Sequence, residues 1–202
     1  MRRLFDHIED IHIKGNPTVL TEAVTAMDAS LQNIAAWTEQ LAGFLLKYSS
    51  TNKGIQYAKA VDTVVKLSAV LYDASVEVNE MQNEVVRYQN KVFRYEDLSE
   101  TGSVYNKFLV QKVTVSADET TVHFGRTEMT ALSNTLKSYI DIVLHYAHEL
   151  YNKKEQLAAV WMDSQYQTFS AFIDEICKMI EQALKVLDEY RMHLDEKLRE
   201  LG

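Results

Sequence analysis

The residues that break a chain into short pieces are scarce in this sequence: Pro occurs once and Gly six times in 202 residues. All-β folds need many tight turns, so the scarcity points to few, long elements. Cys177 is the only cysteine, which excludes an intramolecular disulfide and a thiolate-based zinc site. It stands among Phe172, Ile173, Ile176 and Ile180, the surroundings of a small buried hydrophobe. Positive charge is also in short supply. Lys and Arg total 21 against 29 Asp and Glu, a net charge of −8, and the basic clusters Arg2-Arg3 and Lys153-Lys154 are too short to form a phosphate-binding groove. Nucleic acid is therefore not the expected partner.

No apolar run approaches the ~20 residues that span a bilayer, so no integral membrane segment is expected. The opening stretch MRRLFDHIEDIHIKG turns to acids and histidine after its arginines, where a cleaved signal peptide needs an apolar run. The expected location is the cytoplasm, with secretion, if it occurs, by a route that reads folded helices and cleaves no signal peptide.

What is present is helical periodicity in a chain that is 47% hydrophobic and 25% charged, an ordinary balance for a packed core. Residues 1–16 read as an arm or short strand around Ile11 and Ile13, closed by the breaker Lys14-Gly15-Asn16-Pro17, which also prepares a helix start. Val24, Met27, Leu31, Ile34, Leu41 and Leu45 then recur at spacings of three and four to about Tyr48. A polar connector ending in Asn52-Lys53-Gly54 precedes a second pattern from Ile55 through Val61, Val78, Val85 and Val92. The short connection folds these helices back on each other, giving a first hairpin over residues 17–95.

Residues 96–126 lose the helical period. The β-prone runs 108–115 and 120–124 flank the polar turn Ser116-Ala117-Asp118-Glu119 and predict a small β-hairpin insert. A second helical hairpin follows over 127–202, with Thr127 as its expected N-cap. Its first helix carries Met129, Leu132, Leu136, Ile140, Val143 and Leu150, and its second carries Phe169, Phe172, Ile173, Ile176 and Leu187. The expected fold is mainly α: two long antiparallel helical hairpins, like a four-helix bundle, with a β-hairpin insert between them. Val24-Thr25-Ala26-Met27 and Leu31 echo Met129-Thr130-Ala131-Leu132 and Leu136, so the halves read as weak repeats. Two amphipathic hairpins either pack on each other or offer two apolar faces to other chains, and the pattern leaves both open.

Catalytic motifs are missing: the chain has no Gly-rich phosphate loop, nucleophile elbow or His-Glu-x-x-His pair. The sharpest chemical cluster is Asp141, His145 and His148, at i, i+4 and i+7 of one helical face, with His193 as a fourth ligand from the adjacent helix. Di-iron bundles instead pair inward Glu residues with Glu-x-x-His motifs on separate helices, and that set is missing. The competing reading is a solvated stripe of i,i+4 pairs through Asp141, His145 and Glu149. No cofactor is implied.

The break Trp161-Met162-Asp163, between two long helices and followed by Phe169, resembles the Trp-x-Gly turn of the WXG100 family, the helical-hairpin proteins of type VII secretion. The likeness covers about residues 127–201. Asp163 stands where the family has Gly, the family's Tyr-x-x-x-Asp/Glu export signal would start at Tyr190 but meets Leu194, and Asp195 comes one place late. Tyr151 and Glu155 have the right spacing but precede the turn, and in the first half Trp37 is mid-helix. The resemblance implies a non-enzymatic interaction subunit: a partner, chaperone-like adaptor or component of a type VII secretion effector complex. It would bind a protein partner, or a second copy of itself, through apolar helix faces, with Trp161, Asp163, Phe169 and Phe172 as the contact residues. The alternative is a structural subunit of a larger, capsid-like assembly in which the β-hairpin extends a neighbour's sheet.

Overall fold

The computed structural model describes residues 17–48, 54–95, 112–114, 125–161 and 164–201. Four helices account for nearly all of them: α1 (Pro17–Tyr48), α2 (Ile55–Tyr95), α3 (Arg126–Ala158) and α4 (Ser164–Glu200). The breakers foreseen at Pro17 and Gly54 mark the starts of α1 and α2, and Gly54 takes φ 153°, a conformation side chains rarely adopt. The start of α3 differs from expectation. Its N-cap is Gly125, not Thr127: the Gly125 carbonyl accepts from Met129 N–H at 3.0 Å, and Glu128 reaches back to Gly125 N–H at 3.2 Å. That carboxylate also sits where the helix dipole favours negative charge.

The four helices pack together, so the two hairpins bury their apolar stripes on each other. Around the bundle the order is α1, α2, α4, α3, with α1 against α3 and α2 against α4. Each hairpin is antiparallel. In the first, Thr21 Oγ1 donates to Gln89 near one end while Tyr57 meets Leu45 near the other. In the second, Ser133 pairs with Asp195 and Lys154 with Asp174. The seams between hairpins are antiparallel too: Thr38 meets Tyr139 across α1 and α3, and Tyr57 and Lys59 meet Tyr190 and Glu189 across α2 and α4. The two hairpin turns therefore lie at opposite ends of the bundle, and α2 and α3 are diagonal and parallel. A single continuous core runs from Leu20, Met81 and Phe169 at one end to Leu45, Tyr57 and Leu194 at the other. Each large side chain so buried contributes roughly 1.5–3 kcal/mol of transfer free energy.

Between α2 and α3, residues 112–114 lie on the middle of α2 and are neither helix nor strand. Val113 N–H donates to Ser68 Oγ at 2.7 Å, and Lys112 Nζ stands 4.6 Å from the Tyr72 ring centroid. The rest of the expected β-hairpin, and the arm at 1–16, lie outside the described residues.

The two halves share a burial spacing, in a different register from the echo of Val24 and Met129. Leu20, Ala23, Met27, Ile34 and Leu41 of α1 match Met129, Leu132, Leu136, Val143 and Leu150 of α3, and all ten are buried. At the same offset Ala60, Val64, Leu67, Leu71, Ala74 and Val78 of α2 match Phe169, Ile173, Ile176, Ile180, Ala183 and Leu187 of α4, again all buried. The earlier echo is about one helical turn away, on the same face, which is why periodicity alone did not separate the two. Antiparallel seams between matching helices give the bundle an approximate two-fold axis crossing the α1–α3 seam near Ile34 and Val143.

Candidate functional site

Both hairpins close their turns with the same contact. Tyr57, early in α2, donates its hydroxyl to Leu45 O at 2.5 Å, twelve residues back near the end of α1. Tyr166, early in α4, donates to Lys154 O at 3.1 Å, also twelve residues back near the end of α3. A hydroxyl placed there ties the start of one helix to a carbonyl in the last turns of the other. The two turns differ in what surrounds this contact.

At the α3–α4 turn, Leu157 O accepts from Val160 N–H at 3.0 Å and Trp161 N–H at 2.8 Å, winding the chain inward. The Trp161 ring is driven into the core, 1% exposed, with its centroid 5.8 Å from Tyr166 and 5.9 Å from Phe169. Phe169 is fully buried and Phe172 is half-buried against the same core. Trp161 and Phe169 thus face the interior of this chain, and Phe172 and the helix surface beside it are what the turn presents outward. Asp163 lies outside the described residues. The Trp161 indole Nε1 is buried and has no acceptor among the described residues.

Lys154, one turn before the end of α3, was not singled out in the sequence, where it read as half of a short basic pair. Its side chain is 3% exposed, yet its ammonium is held by Asp174 Oδ1 at 2.5 Å and Glu155 Oε1 at 2.9 Å, with the Tyr151 ring centroid 4.1 Å away. Burial alone would lower its pKa; the hydrogen bonds and charges of Asp174 and Glu155 outweigh that and hold it above the usual lysine value. The site is a positive charge clamped by two carboxylates beside an aromatic ring. Nearby Cys177 is buried; burial, followed by the Asp174 charge, pushes its thiol up to about 11, which keeps it unreactive.

At the α1–α2 turn the equivalent positions carry opposite chemistry. Leu45 replaces Lys154, Leu46 replaces Glu155 and Ile55 replaces Ser164; Leu46 is 54% and Ile55 71% exposed. By sequence position Asn52 matches Trp161 and Gly54 matches Asp163. Reading the halves in register from Tyr57 and Tyr166 is the signal that would have exposed this in the sequence.

Asp141, His145 and His148 are exposed on α3, and no three His, Cys, Asp or Glu groups converge as a metal ligand set among the described residues. His145 Nε2 instead lies 3.5 Å from Glu149 Oε1, one rung of the solvated stripe. No described helix is long and apolar enough to cross a membrane. Comparison with protein-family models, curated proteins and solved structures finds no match for this chain.

Proposed function

We propose that this chain is a non-enzymatic protein-interaction subunit, a WXG100-like pair of helical hairpins fused in one polypeptide, serving as partner or adaptor in a type VII secretion complex. The observation that carries the reading is the paired turn: two hairpins in register, each tied by a Tyr hydroxyl twelve residues from its acceptor, one turn carrying Trp161 and the other Gly54. A lone amphipathic hairpin must bury its apolar stripe on a partner. Here each half is that partner for the other, so the core is closed within the chain and contacts with another protein fall on outer surfaces. The exposed Leu46, Ile55 and Met192 near the α1–α2 turn and Phe172 by the other turn supply apolar anchors of the kind that dominate interfaces.

The test is co-expression with a secretion ATPase and effector encoded beside this chain, reading complex formation by co-purification and export into the medium. The reading requires a stable complex that Leu46→Asp and Ile55→Asp weaken without unfolding the bundle. Purification of the chain alone, with export unaffected by loss of the ATPase, overturns it. The capsid-like alternative rests on residues 108–124 acting as a β-hairpin; their deletion would abolish assembly while leaving the helices intact.

A further inference from the structure

Residues 96–125 join the two hairpins, and a point within this connection is seated on the first of them. Val113 N–H donates to Ser68 Oγ at 2.7 Å, and the Val113 side chain packs against the core. Ser68 is itself buried in the middle of α2, so the seat belongs to the packed interior. Lys112 Nζ stands 4.6 Å from the ring centroid of Tyr72, about one turn further along α2. Two consecutive residues thus hold α2 by a hydrogen bond, an apolar contact and a cation beside a ring.

The helix directions make this seat consequential. Because α2 and α3 are parallel, the connection leaves Tyr95 at one end of the bundle and delivers Arg126 to the other. A helix the length of α3 spans ~50 Å, and about 30 residues reach at most about 100 Å. Length alone therefore lets hairpin two close on its own hairpin one or on that of a second copy. The seat narrows the choice. Ser68 lies about 20 Å from the start of α2, and roughly a dozen residues separate Thr114 from Arg126. Cutting the loop to be closed from about 30 residues to about 12 raises the effective concentration of hairpin two at its own partner roughly fourfold, before the contacts of the seat are counted.

We propose that the Val113 seat on α2 holds this chain as a closed monomer, and that releasing it lets hairpin two exchange onto hairpin one of a second copy. The core names that occupant. An exchanged partner makes the same α1–α3 and α2–α4 seams that the chain makes within itself, so the second copy fits without any new contact. The stripe through Leu31, Leu41 and Val64 in one hairpin and that through Leu136, Val143 and Ile180 in the other are fully buried. Neither stripe is stable open to water, so a hairpin that misses its own half closes on another's. The exchange depends on concentration and passes through separation of the hairpins. It stands apart from the secretion reading, which concerns the outer surface.

The test compares the full chain with Val113→Pro, which removes the donated N–H, and Ser68→Ala, which removes its acceptor and leaves a strong helix former in α2. Each is unfolded in urea and refolded at about 10 µM and about 1 mM, and its mass is read by light scattering after chromatography. The parent is expected to return chiefly as monomer at both concentrations. Both variants should show a dimer fraction at least about four times the parent's at the higher concentration, with unchanged helix content. Co-refolding a Ser68→Ala chain labelled at Leu46→Cys with one labelled at Glu155→Cys, both in a Cys177→Ser background, identifies the exchange. Exchanged hairpins put these spin labels, on different copies, on the order of 40 Å apart, as within one closed bundle. Variants as monomeric as the parent, a parent that dimerises as readily as they do, or a dimer without that distance between copies overturns the proposal. Ser68→Ala leaves the seated segment intact, so its result decides even where Val113→Pro lowers the helix content.

Discussion

Asp28 is buried on α1, where Oδ2 accepts from Gln32 Nε2 at 2.6 Å while Oδ1 has no partner among the described residues. Burial raises its pKa from 3.8, opposed by the Gln32 and Gln82 amides. The folded state thus favours the neutral acid. Its contribution to stability is whole below the unfolded pKa and is lost as pH rises through the higher folded value. Asp28→Asn should therefore raise the melting temperature at neutral pH, with the gain shrinking toward about pH 4, where the carboxyl protonates. A constant gain across that range would contradict the assignment. Trp161→Ala removes a fully buried ring and should cost about 3–5 kcal/mol in urea unfolding. At Lys154 the partners are unequal, because the ammonium is buried while Asp174 and Glu155 are half exposed. Lys154→Leu, which copies Leu45 of the other half, should stay within about 1 kcal/mol of the parent, since an apolar isostere removes the desolvation cost. Asp174→Ala leaves the buried charge with one partner and should be the more damaging change; the reverse order in denaturant titrations would refute the account.

Among the elements, the two tyrosine ties are matching parts at opposite ends of the bundle. Tyr57 is 1% exposed, and burial pushes its hydroxyl up to about 12. Tyr57→Phe and Tyr166→Phe should each cost about 1 kcal/mol, with the buried Tyr57 tie the larger, and the double variant should equal their sum. Marked non-additivity in unfolding free energy would mean the two turns are coupled through the core. Helix positions were legible in the sequence because Pro17 and Gly54 punctuate a period that little else interrupts. The α3 cap was not, since Thr127 is the better capping residue in general and Gly125 with Glu128 wins through the back-reaching carboxylate. The sequence echo of Val24 and Met129 and the burial match of Leu20 and Met129 fall about one helical turn apart. Residues one turn apart share a face, and only the tyrosine contacts, separated in space from the helix faces, distinguish the alternatives. Lys154 was missed for a related reason: helical position marks a residue as inward, but charge in the sequence argues for solvent, and its two carboxylate partners lie on separate elements.

Across the whole molecule, the sequence left open whether two amphipathic hairpins close on each other or on other chains. The continuous core decides for closure within the chain, with α1 antiparallel to α3 and the two turns at opposite ends. That arrangement moves the search for partners from the apolar stripes to the outer surface, to the exposed Leu46 and Ile55. The most direct test is a distance between spin labels on Leu46→Cys and Glu155→Cys, matching exposed sites near the two turns, in a Cys177→Ser background. The closed bundle places them about two dozen helical residues apart along its axis, a single narrow distance on the order of 40 Å in dilute monomer. A distance below about 20 Å would put the turns at the same end, and a broad distribution would mean the hairpins do not pack together; either contradicts the account.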